Sequence, residues 1–187
     1  MIPLHASEIA RIVGGSLHGT DCEVTAPAYL SSSQCTPGSI FLAIKGERAD
    51  GHDFAPDAFT HGAVLVLASR AIEQRCIVVD DVTTAVGKLA AHVRSQLSEM
   101  VVVGITGSQG KTTTKELLSA ILSAHGSTVS PKGNNNNELG VPITLLQCTA
   151  ETRYCIVEMG ARHRGDIATL AAIARPHLGV VLKVAAA

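Results

Sequence analysis

Val101-Val102-Val103-Gly104-Ile105 is a β-branched run that ends in the turn Thr106-Gly107-Ser108-Gln109-Gly110 and passes through Lys111-Thr112 into a helical stretch reaching about Ala124. Strand, tight loop and helix in immediate succession predict a phosphate-binding corner. The glycines let backbone N–H groups turn around phosphate oxygens, the helix N-terminus aims the positive end of its dipole at them, and Lys111 adds a mobile charge. Thr112 offers a hydroxyl to Mg²⁺. The pattern G-x-x-x-x-G-K-[ST] is met except at its first position, where Ile105 stands and Gly104 lies one residue early. The reading predicts ATP or GTP binding through Gly107, Ser108, Gln109, Gly110, Lys111, Thr112 and Thr113. The plain alternative is a glycine-rich strand-to-helix turn with a solvated lysine.

A chain of 187 residues allows one large domain, or a small domain plus part of a second. With 15 Lys+Arg against 16 Asp+Glu the net charge is −1, which supplies no field to hold a polyanion, so no nucleic-acid partner is expected. Hydrophobic residues at 46% and a mean hydropathy of +0.27 exclude a disordered tail. Aromatics are only 3% and Trp is absent, so the core must be aliphatic, as in parallel sheets covered by helices. The five cysteines are scattered without a Cys-x-x-Cys pair, and are read as free thiols in a reducing cytoplasm. No signal peptide and no run of about 18 apolar residues is present, so export and membrane insertion are not expected.

Along the chain, Ser7 is read as the N-cap of a helix over 7–13 that Gly14-Gly15 stops. Strands are expected at 39–44, 64–67 and 77–79, with helices at 54–61 and 82–98. The second half reads as strand 101–105, helix 112–124, a short strand 128–129, an amphipathic stretch near 138–147, strand 154–157, helix 166–174 and strand 178–182. The fold class is therefore α/β: a small N-terminal α/β domain, then the first part of a phosphate-loop ATPase domain on a parallel, right-handed doubly wound sheet. The boundary is placed near 98–100, giving domains 1–98 and 99–187.

Two further motifs follow. Gly133-Asn134-Asn135-Asn136-Asn137-Glu138-Leu139-Gly140-Val141-Pro142 reads alone as a polar turn. Glu158 follows the apolar run 154–157 at the carboxyl edge of the sheet, where doubly wound folds bind ligands and a carboxylate can hold Mg²⁺. Arg162, His163 and Arg164 beyond it are read as a solvated loop.

Together, the loop Thr106 to Lys115, the segment Asn134 to Pro142 and Glu158-Met159-Gly160 with Gly165-Asp166-Ile167 resemble the Mur ligases of peptidoglycan synthesis. Within that family they are most similar to the branch that adds D-alanyl-D-alanine to UDP-MurNAc-tripeptide. Pro37 to Ala43 and Lys45 to Phe54 resemble the family's uridine-nucleotide-binding domain. The resemblance implies an acid–amino-acid ligase in which ATP phosphorylates a terminal carboxylate and an amine attacks the acyl phosphate. It implies Lys111 and Glu158 as catalytic groups, Thr112 and Glu158 as Mg²⁺ ligands, and Asn137 and Glu138 beside the ATP site. It also implies substrate binding at Ser32, Gly46, Asp50, Gly51 and His52, in a monomer of the cytoplasm. Ser31-Ser32-Ser33 departs from the family's Asp-Ser-Arg, and Lys183-Val184-Ala185-Ala186-Ala187 stands where the family continues to a metal-binding histidine. The 1–187 chain is accordingly expected to hold the UDP-substrate domain and an incomplete central domain, and not to complete ligation alone. The alternatives are the diaminopimelate- or lysine-adding branch, a non-catalytic nucleotide-binding module and a small-molecule kinase.

Overall fold

The computed structural model describes residues 1–47, 49–131 and 138–184. Two compact units divide between Leu89 and Ala90, inside the helix Val82–Gln96, where the sequence reading put the boundary at 98/99.

The first unit opens with β1 (Leu4–His5) and α1 (Ala6–Val13). The expected N-cap Ser7 lies inside α1; His5 is the capping residue, and its backbone N–H donates to Glu8 Oε2 at 3.1 Å. Ser7 is drawn elsewhere, because its N–H and hydroxyl donate to Asp21 at 3.0 and 2.7 Å. Gly14 ends the helix at φ 76°, as its sequence predicts. There follow β2 (Ser16–His18), β3 (Glu23–Val24), β4 (Ala28–Tyr29), β5 (Ser39–Leu42), α2 (Ala55–Thr60), β6 (Ala63–Ala68), β7 (Cys76–Val78) and α3 (Val82–Gln96).

The strand order is β2-β7-β6-β5-β4, parallel from β4 to β7, with β2 antiparallel at the edge against β7. All of β5 and nearly all of β6 are buried, as fits strands covered on both faces. One core cluster gathers Phe41, Val66, Cys76 and the alanines of α2 and β6, so small side chains let the helix approach the sheet closely.

The second unit runs β8 (Val101–Thr106), α4 (Lys111–Ser123), β9 (Thr128–Val129), α5 (Gly140–Leu145), β10 (Tyr154–Met159), α6 (Asp166–Ala174) and β11 (Leu178–Val181). Its sheet is wholly parallel in the order β11-β8-β10-β9. Strand β10 is two residues longer than the expected 154–157, so Glu158 belongs to the strand instead of following it. Val103, Ile105 and Ile156 form the core here, covered by Leu118 and Leu122 of α4. Gly104 sits within β8, outside the loop, and packs against Met159: a Cβ there would meet Met159 Cε at 3.0 Å.

Arg94 ties the second unit together. Its buried guanidinium donates to Ala174 O at 3.0 Å, Leu97 O at 3.0 Å and Arg175 O at 3.3 Å. Burial pulls its pKa down, and the carbonyls at the end of α6 offset that cost by accepting charge-assisted bonds where the helix dipole is negative. Arg94→Met is expected to cost about 3 kcal/mol, because the buried Ala174 and Leu97 carbonyls and the part-buried Arg175 carbonyl lose a charged donor; urea denaturation measures it.

Candidate functional site

Strand β8 delivers the chain to a turn in which Gly107 has φ 141° and Gly110 has φ 86°, conformations that side-chain-bearing residues rarely adopt. Gly107 is constrained twice, since a Cβ on it would stand 2.8 Å from Leu182 Cβ. Gly110 caps α4, whose first residue is Lys111. Ser108, Gln109 and Gly110 are exposed, and Lys111 and Thr112 half-buried. Lys111 Nζ donates to Gly107 O at 2.6 Å, so its side chain folds back over the loop. The segment after β11 closes the other side: Leu182 N–H donates to Thr106 O at 2.8 Å, and Ser108 N–H to Lys183 O at 2.8 Å.

Glu158 comes to this corner by strand register. In the parallel pair Glu158 lies opposite Ile105, and Met159 opposite Thr106, one residue before the loop. Its side chain is fully buried, yet among the described residues neither carboxylate oxygen has a hydrogen-bond partner. Its charge is faced by Lys115, itself buried, whose Nζ lies 3.4 Å from Glu158 Oε1. A buried carboxylate without a hydrogen bond among the described residues, at the carboxyl end of a sheet beside a phosphate-type loop, has the chemistry of a Mg²⁺ ligand. Mg²⁺ at nucleotide sites is usually held by one or two carboxylates plus phosphate oxygens. Among the described residues no group of three His, Cys, Asp or Glu side chains is placed to hold a metal alone.

Of the neighbouring motif, Glu138 is exposed two residues before α5, while Asn137 lies outside the described residues. Arg162, His163 and Arg164 are exposed, as expected of a solvated loop. The N–H groups of Arg162 and His163 both donate to Asp166 Oδ2 at 2.8 Å, which fixes the loop and lowers the Asp166 pKa.

In the first unit a cavity of about 700 Å³ opens between the segments around Ser32 and Gly46. Ser32, Gly46 and Gly51 line it; Asp50 and His52 are not among its lining residues. Gly51 N–H donates to Ile44 O at 3.0 Å, and a Cβ on Gly51 would stand 2.6 Å from Ile44 N and O, so only glycine lets these strands of backbone meet. His52 is buried. Its Nε2 accepts from Ser69 N–H at 3.1 Å, which places the ring proton on Nδ1, where it is donated to Asp50 Oδ1 at 2.5 Å. Asp50 and His52 thus flank Gly51, which lines the cavity. Sequence reasoning missed Leu30 and Phe54, which also line it and remain 43% and 46% exposed. Apolar groups beside Gly and Asp turns were the available signal. It also gave Lys115 no role, although its i,i+4 spacing from Lys111 puts both lysines on one helix face.

Two family profiles match this chain: the Mur ligase middle domain over residues 105–187, and the Mur ligase family catalytic domain over residues 29–120. The chain is an α/β protein that belongs to the Mur ligase family. Over its whole length it is similar to the UDP-N-acetylmuramoyl-tripeptide–D-alanyl-D-alanine ligases of Escherichia coli (43% identical) and Mycobacterium tuberculosis strain H37Rv (42%), covering 41% and 42% of those proteins. Among solved structures, the UDP-N-acetylmuramoylalanyl-D-glutamyl-2,6-diaminopimelate–D-alanyl-D-alanyl ligase of Acinetobacter baumannii matches with a TM-score of 0.86 at 35% identity, over 99% of this chain and 42% of that one. MurF ligase of Thermotoga maritima in complex with ADP matches with a TM-score of 0.74 at 38% identity, over 88% of this chain and 39% of that one. The chain thus spans about two fifths of the length of its relatives.

The backbone N–H of His52, and with it the ring Nδ1–H, holds the Asp50 pKa at about 2, below the ordinary 3.8. As the pH falls, the unfolded chain takes up this proton before the folded one does, so the contribution of Asp50 to stability is complete above about pH 4 and lost toward pH 2. Asp50→Asn is expected to lower the melting temperature at pH 7, with the gap to wild type closing between pH 4 and 2. Thermal melts across that range measure it.

Proposed function

We propose that this chain supplies the two nucleotide-handling parts of an ATP-dependent ligase that joins D-alanyl-D-alanine to UDP-MurNAc-tripeptide. The observation that carries the reading is Glu158, buried on the strand beside the glycine loop, with neither oxygen hydrogen-bonded among the described residues and only the Lys115 ammonium facing it. Residues 99–187 bind ATP, and residues 1–98 bind the UDP end of the acyl substrate. The names of the similar proteins and the ADP in the Thermotoga maritima complex support this reading. In this reading the protein works as a monomer in the cytoplasm.

Transfer of a phosphoryl group to a carboxylate needs alignment and neutralisation of charge more than covalent help. The amides of Gly107, Ser108, Gln109, Gly110 and Thr113 cradle the phosphate chain at the start of α4. Lys111 swings from the Gly107 carbonyl to the β/γ-phosphates. The Thr112 hydroxyl and the Glu158 carboxylate hold Mg²⁺, which when bound neutralises charge on the phosphates. Asn137 and Glu138 stand beside the nucleotide. The acyl phosphate so formed is attacked by the amine of D-alanyl-D-alanine, giving the amide and releasing phosphate.

In the first unit, Leu30 and Phe54 offer apolar surfaces for a planar base, and Ser32, Gly46 and Gly51 present a hydroxyl and close-lying backbone to ribose and diphosphate. Asp50 and His52 hold the Gly51 turn in place. Ser31, hydrogen-bonded to Ser33 at 3.0 Å, adds a further hydroxyl to the lining.

Mg·ATP at about 100 times its dissociation constant is expected to add roughly 2.7 kcal/mol and raise the melting temperature by roughly 5–10 °C. Lys111→Ala should abolish that shift and leave intact a separate rise produced by UDP. A Mg·ATP shift that survives Lys111→Ala would overturn the role of the loop, and no response to UDP would overturn that of the cavity.

A further inference from the structure

Lys115 does work that neither the motif nor the reaction assigns to it. It lies one turn after Lys111 in α4, is 1% exposed, and its ammonium approaches Pro131 O at 3.0 Å, Glu116 Oε1 at 3.0 Å and Glu158 Oε1 at 3.4 Å among the described residues. Its bonds to Pro131 and Glu116 are shorter than its approach to Glu158. Glu158 has the opposite profile, with a fully buried side chain and no hydrogen-bond partner among the described residues. A buried carboxylate without compensation is strongly destabilising, and the cation facing this one is Lys115.

Resting on the reading of Glu158 as a Mg²⁺ ligand, we propose that Lys115 is a positioning residue that serves as the resident counter-ion of Glu158 and yields the carboxylate to the divalent cation. The geometry suits exchange. Lys115 keeps its other two oxygen neighbours when Glu158 turns to the metal, so its ammonium is not stranded. Glu158 loses no hydrogen bond in turning, because it makes none with the described residues. Charge is conserved locally: before exchange Lys115 balances Glu158, and afterwards the cation balances Glu158 and the nucleotide phosphates while Glu116, which is exposed, balances Lys115. A lysine suits this task better than an arginine, because an ammonium is a point charge without a fixed bidentate fork.

The test is a double-mutant cycle on the whole chain, read as melting temperature in EDTA and then with Mn²⁺ and ATP. In EDTA, Lys115→Met is expected to lower the melting temperature by roughly 10 °C, and adding Glu158→Gln should restore most of the loss, since the orphaned charge is removed. If Lys115→Met does not fold, the double variant should; a double variant no more stable than Lys115→Met overturns the counter-ion role. With Mn²⁺ and ATP, Lys115→Met should gain a larger shift than wild type, because the metal replaces the missing charge, whereas Lys115→Arg should gain a smaller one. Equal shifts in all three overturn the exchange. A Mn²⁺-dependent shift that persists in Glu158→Gln overturns instead the metal-ligand reading on which the exchange rests, leaving the EDTA cycle to judge the ion pair by itself.

Discussion

Parallel pairing of β8 with β10 is the constraint on which the second unit depends. Six consecutive residue pairs, from Val101↔Tyr154 to Thr106↔Met159, fix the height at which each strand ends. Because side chains alternate along a strand, a slip of one residue would turn the Glu158 carboxylate to the other face of the sheet. The aliphatic run around it holds that register by burial: Cys155, Ile156, Val157 and Met159 are all buried. Hydrophobic strand interiors therefore set the position of one carboxylate beside one glycine turn, and Lys115 makes that position tolerable for a charge.

The phosphate corner was legible in the sequence because everything that defines it is local. Gly107, Gly110 and Lys111 follow one another, and the strand before and helix after them have clear periods. Burial of Glu158 was half legible: apolar neighbours on both sides announce a strand, yet the same run hid that the strand includes the glutamate. The partnership with Lys115 was not legible at all, since the two stand 43 positions apart in sequence and meet where α4 packs against β10. The same holds in the first unit for His52, whose ring is oriented by Ser69 from the far end of β6.

The short elements show a different limit. β1, β3 and β4 are two residues each, too short to carry a period, and their pairing is imposed by neighbours. Ser7 shows the same limit on a helix: its residue type favours a cap, but its N–H and hydroxyl both donate to the Asp21 carboxylate from inside α1, and His5 takes the capping position. In the cavity, the turn glycines were visible, while the apolar rim was not assigned, because only the fold shows that Leu30 and Phe54 stay half in water beside Gly46 and Gly51.

The glycine loop also fixes how binding should look in a calorimeter. Its mobile ammonium is held by the Gly107 carbonyl, and the Ser108 amide by the Lys183 carbonyl. An arriving anion therefore takes over donors that already have partners, and the heat evolved is a difference between two sets of hydrogen bonds. Enthalpy at this loop should be modest for the number of contacts made, with released water supplying the balance as entropy.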